Sequence, residues 1–192
     1  SIDGSTREVY EQYRKEGHLA TVLEGARNLV AAKEEAGSST PHIVFQMLVV
    51  KPNEHQIGEV QALAKEIGVD EVKLKTAQVY DFVEGNELIP TISKYSRYYQ
   101  DHAGVWHVKN KLRNQCWKLW HACVITWDGM VVPCCFDKDA QYQLGDLQTH
   151  SFSTIWNNDL YKDFRVKLVK GRKEIDICTN CSEGCEVNLS AD

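Results

Sequence analysis

Four cysteines carry the chemical potential of this chain: Cys116, Cys134, and the pair Cys178 and Cys181, which are separated by two residues. A C-x2-C knuckle joined by thiols from distant segments is how a protein holds a zinc ion or an iron–sulfur cluster. All seven cysteines follow residue 115. An odd count argues against a secreted disulfide framework, so they are read as reduced thiols of a cytoplasmic protein, some of them ligands. Spacing alone does not separate zinc from iron, because both accept four thiolates.

Three further cysteines compete for the site. Cys135 adjoins Cys134 in a predicted strand and points to the opposite face. Asp128 and Gly129 signal a type I′ hairpin between strands at 122–127 and 130–135. That turn pairs Trp127 with Met130 and sets Cys123 opposite Cys134; a one-residue slip in register would remove Cys123 from the site. Cys185 is read as a spare thiol, since four ligands complete an ordinary site.

The elements that must position these thiols fall into two parts. In the first, Ser5 and Glu8 form a capping box, and Leu19, Val22, Leu23, Ala26, Leu29 and Val30 make one face of a helix ended by Gly37. The apolar run from Ile43 to Val50 reads as a strand buried on both faces, with Gln46 needing a hydrogen-bond partner. A helix follows with Ile57, Val60, Leu63, Ala64 and Ile67 on its buried stripe and Gly68 as its stop. Residues 71–79 read as the next strand. Strand, helix and strand with short connections form a βαβ unit of a parallel sheet or β/α barrel. Residues 86–115 are expected to be a linker. Past it come the hairpin and a helix over 153–170, with Ile155, Trp156, Leu160, Phe164 and Leu168 on its apolar face. Trp117, Trp120, Trp127 and Trp156 are read as core in preference to a binding surface.

With 192 residues and 43% hydrophobic content, the chain can bury one solid core, or one medium and one small core. A net charge of −5 without a basic segment argues against a nucleic-acid surface, and no run of 18 apolar residues exists to span a membrane. The start without Met is read as a fragment.

The chain resembles the C-terminal part of a radical S-adenosylmethionine (radical SAM) enzyme with a SPASM or twitch-type auxiliary-cluster domain. The residues behind the resemblance are 1–4, Tyr13 and Arg14 with the helix to Leu29, Gly129 with Cys134, Cys135 to Asp137, Gly145 to Leu147, Ile155 with Trp156, and Cys178 with Cys181. It implies an α/β fold: half of a radical SAM-type β/α barrel over 1–85, the linker, and a small α+β cysteine-rich SPASM/twitch domain over 116–192. The twitch variant implies one auxiliary [4Fe–4S] cluster on Cys116, Cys134, Cys178 and Cys181, serving electron relay or substrate binding. The family would place S-adenosylmethionine near Ser1 and Arg14. The C-x3-C-x2-C motif that holds the second, catalytic [4Fe–4S] cluster is absent. The intact protein is therefore expected to be an oxidoreductase-like radical enzyme acting on a peptide or small metabolite, with an electron donor such as flavodoxin or ferredoxin, and these 192 residues alone to be inactive. A non-catalytic domain with four cysteines on structural zinc and a protein-interaction module are the alternatives.

Overall fold

The computed structural model describes residues 1–182 and the strand residues 188–189. They form two compact units: residues 1–109 with 188–189, and residues 110–182. Residues 86–109, expected as a linker, belong to the first unit.

The first unit opens with helix α1 (Arg7–Tyr13), whose cap is Thr6, one residue past the expected Ser5. The Thr6 hydroxyl accepts from Val9 N, while the Ser5 hydroxyl is drawn to the Glu59 carboxylate instead. Helix α2 (Leu19–Glu35) buries Leu19, Ala26 and Val30 and half-buries Val22 and Leu23. Leu29 falls outside this stripe and is exposed.

Strand β1 (Val44–Val49), helix α3 (Ile57–Ile67) and strand β2 (Glu71–Thr76) make the expected βαβ unit. β1 and β2 pair in parallel, with Met47 opposite Leu74. One face of β1 is fully buried and the other half-buried, and Gln46 lies on the half-buried face. Gly68 ends α3 at φ 86°, a backbone conformation that glycine adopts without the penalty of a Cβ. Phe45, Met47, Val49, Val60, Ala64 and Leu74 are core, joined by the buried faces of α1 and α2.

The hairpin of β3 (Tyr98–Gln100) and β4 (Trp106–Val108) carries a smaller cluster, in which Tyr98 stacks on Phe82 with ring centroids 4.8 Å apart. Its hydroxyl ties Val79 at both N–H and C=O, at 2.7 and 3.0 Å. Strand β8 (Asn188–Leu189) pairs antiparallel with β2 as the third strand of that sheet, so β1 and β8 flank β2.

The second unit has shorter elements. A 3-10 turn over Trp117–Trp120 precedes strands β5 (Val124–Ile125), β6 (Met130–Val132) and β7 (Gly145–Asp146), which form one antiparallel sheet. The register sets Val124 opposite Val132, so the connection is one residue longer than a two-residue type I′ turn. Thr126 makes the difference. Its N–H donates to the Met130 carbonyl, and its hydroxyl accepts from Met130 N, leaving three residues in the loop with Gly129 at φ 90°. The slip moves Cys123 out of line with Cys134.

The helix expected over 153–170 is two helices, α4 (Phe152–Trp156) and α5 (Asp159–Gly171). Asn158 breaks it, because its carboxamide oxygen caps the second helix at Tyr161 N. Leu160 is exposed in consequence, and Tyr161 takes its place in the core beside Ile155, Phe164 and Leu168. Gly145 permits the close packing of β7: a Cβ there would lie 2.7 Å from two Ile155 carbons. Among the described residues no helix is long and apolar enough to cross a membrane.

Candidate metal centre

Each thiol of the knuckle site is placed by a local device. Cys178 lies in the short helix α6 (Asp176–Thr179) and Cys181 just past its end, and the turn closes through Cys181 N donating to the Cys178 carbonyl at 3.1 Å. Cys134 follows β6 directly after Pro133. The next turn is locked by Asp137, a buried carboxylate that accepts from Gln141 N and Tyr142 N at 2.8 and 2.9 Å. The Asp137 N–H donates to the Cys134 carbonyl at 3.2 Å and closes the turn. Cys116 opens the 3-10 turn from the other side.

These four cysteines line one cavity, together with Arg172 and apolar side chains that include Leu119, Phe164 and Leu168. The empty space is about 370 Å³, counting the solvent at its mouth. Cys178 and Cys181 are buried, and Cys116 and Cys134 half-buried. Cys123 does not line the cavity and Cys135 is exposed. Cys185 lies outside the described residues.

The electrostatics fit thiols kept dry. Burial, then the nearby Cys181, pushes the Cys178 thiol up to about 12, against the pull of Arg172. Burial pushes Cys134 up to about 11, against the pull of the Phe136 amide. Arg172 stands among them. Its Nη2 donates to the Cys181 sulfur at 3.1 Å, and its buried Nε has no partner among the described residues. Buried and half-buried thiols beside an under-satisfied buried cation suit an anionic thiolate centre.

The sequence pattern does not single out Arg172. As one of 22 lysines and arginines, it gives no sign in the sequence that its head would be buried. The tryptophans expected in the core divide differently. Trp127 is 98% and Trp117 79% exposed, Trp120 is exposed as well, and Trp156 is half-buried. Trp127 sits in the three-residue loop, and Trp117 lies against the His121 ring, with centroids 3.7 Å apart.

The two residues expected to meet S-adenosylmethionine lie in the first unit. Ser1 is exposed. Arg14 Nε pairs at 2.5 Å with the fully buried Asp3, whose other oxygen accepts from Leu48 N.

Residues 116–182 match the SPASM family, described as an iron–sulfur cluster-binding domain. The cysteine-bearing unit is similar to SPASM domains over almost its whole described length. The match begins at the first of the four cysteines and ends one residue past the last. The resemblance to the C-terminal part of a radical SAM enzyme with a SPASM-type domain is borne out.

Two curated relatives are similar to the chain. The tungsten-containing aldehyde ferredoxin oxidoreductase cofactor-modifying protein of Pyrococcus furiosus is 26% identical over 92% of this chain and 57% of its own length. The S-adenosyl-L-methionine-dependent 2-deoxy-scyllo-inosamine dehydrogenase of Niallia circulans is 32% identical over 38% of this chain and 30% of its own. The chain thus spans little more than half of the first relative and less than a third of the second. A crystal structure of BtrN in an open conformation aligns over 78% of this chain and 59% of that one at 19% identity, with a TM-score of 0.32, too low to bear on fold or function.

Proposed function

We propose that the SPASM domain holds one auxiliary [4Fe–4S] cluster through Cys116, Cys134, Cys178 and Cys181, as in the twitch variant, and that the chain is part of a radical SAM enzyme. The observation that carries this is the meeting of four thiols from three distant segments around one cavity. The same residues match the SPASM family, an iron–sulfur cluster-binding domain, which favours iron over a single zinc ion. In such a centre each thiolate binds a different iron.

A bound cluster supplies one-electron chemistry. The chain's own contribution is to fix the thiols and to keep water away with Leu119, Phe164 and Leu168. In the intact protein the role is electron relay or substrate binding during modification of a peptide or small metabolite. S-adenosylmethionine and a second [4Fe–4S] cluster would provide the radical, and a donor such as flavodoxin or ferredoxin the electrons. The reduced thiols fit a cytoplasmic setting. The half-barrel reading of the first unit draws support from its parallel βαβ unit. With no C-x3-C-x2-C run, the 192 residues alone should release no 5′-deoxyadenosine from S-adenosylmethionine and a strong reductant.

Single alanine variants test the ligand set after anaerobic reconstitution. Replacing Cys116, Cys134, Cys178 or Cys181 should abolish most iron binding and the broad visible absorbance, while Cys123→Ala and Cys135→Ala keep both. Loss of the centre in Cys123→Ala, with retention in Cys116→Ala, would refute the assignment.

A further inference from the structure

The iron–sulfur reading leaves one buried cation without a role. Arg172 follows α5 and is 3% exposed. Its Nη1 donates to the carbonyls of Gln115 at 2.9 Å and Arg113 at 3.4 Å, and its Nη2 to the Cys181 sulfur at 3.1 Å. Its backbone N–H donates to the Asn114 carboxamide at 3.0 Å. Among the described residues no carboxylate reaches it and Nε has no hydrogen-bond partner. A guanidinium does not give up its proton in a protein interior, so Arg172 is charged there.

A guanidinium buried without an anion is costly, and protein interiors normally supply one. Here its one side-chain acceptor is a sulfur of the ligand set. The carbonyl it grips most closely belongs to Gln115, the residue before Cys116. The planar fork therefore spans from the Cys116 segment to the Cys181 turn; a lysine there would lose that span but keep the positive charge and a donor for the sulfur. Four thiolates around an iron–sulfur core bring more negative charge than the core neutralises. Loading the site would give Arg172 the anion it lacks.

We propose that Arg172 is the built-in counter-charge and sulfur-directed hydrogen-bond donor of the auxiliary centre, raising its reduction potential. It is a positioning residue, not a ligand, and the inference rests on the iron–sulfur reading above. Reduction adds a negative charge, which a fixed cation in a low-dielectric pocket favours. Hydrogen bonds to cluster sulfurs act in the same direction.

Anaerobically reconstituted wild type, Arg172→Lys and Arg172→Gln are compared by redox titration followed by electron paramagnetic resonance. Lys118, the other cation lining the cavity, is unchanged in all three. Arg172→Gln should shift the reduction equilibrium at least tenfold toward the oxidised form, a fall of roughly 59 mV for one electron. Arg172→Lys should stay within threefold of wild type. A wild-type potential in Arg172→Gln, or an equal fall in both variants, overturns the proposal. Where Arg172→Gln takes up no iron, the lysine variant decides: a potential within threefold of wild type supports the proposal, and a larger fall overturns it. Failure of both to load while wild type loads also overturns it, because the retained charge would count for nothing. A wild type that takes up no iron sinks the iron–sulfur reading itself, which separates the two failures.

Discussion

The two units are built on different principles. The first buries a continuous apolar core across a parallel strand pair and three helices, with Met47, Val49 and Val60 wholly inaccessible. The second has strands of two or three residues, and its core cluster includes Cys178, with Cys116 and Cys123 packed against it. The first closes mainly on hydrocarbon, and its buried Asp3 is already paired with Arg14 and Leu48 N, whereas the second closes around thiols and a buried arginine. A core of the second kind is incomplete until its polar members find partners. Metal should therefore matter to one unit and not to the other.

Metal removal tests that contrast most severely. Anaerobic chelation should cut amide-exchange protection at Val131, Tyr161 and Leu168 by several kcal/mol, while Val49 and Leu74 are unchanged. Equal loss in both units would break the contrast. Substitutions sharpen it. Met47→Ala empties a fully buried site in the first unit and should cost about 2–5 kcal/mol there, with iron content unchanged. Gly145→Ala drives a Cβ into Ile155 and should cost about 1–3 kcal/mol in the second unit, with weaker iron retention. Thermal unfolding with iron assays checks both.

The smallest effect is in pH. Burial raises Cys134 to about 11 and Cys178 to about 12, from an ordinary value of 9.0. In the iron-free unit, stability from these neutral thiols is present below about pH 9 and lost as pH rises through about 11–12. Iron uptake requires the opposite state, since thiolates are the ligands. The initial rate of reconstitution should therefore rise between about pH 7 and 8.5, read by visible absorbance. A flat profile would mean that the thiols are already ionised.

Much of the first unit was legible because its signals are long. The apolar run ending at Val50, the stripe from Ile57 to Ile67 and the stop at Gly68 each agree with the fold, so the parallel pairing follows. The second unit is written in shorter signals. Asp128 and Gly129 fit a two- or a three-residue connection, and the choice lay with the Thr126 hydroxyl. Asn158 reads as an ordinary helical residue until it caps Tyr161. Strands of two or three residues are too short for alternation to say which face Trp127 takes. Arg172 left no trace, because its burial depends on carbonyls more than fifty residues away in sequence.

Metal and sulfide analysis after anaerobic reconstitution bears most directly on the central claim. A brown protein with about four irons and four acid-labile sulfides per chain is the expected result. A colourless protein with one tightly held zinc and no sulfide would contradict it.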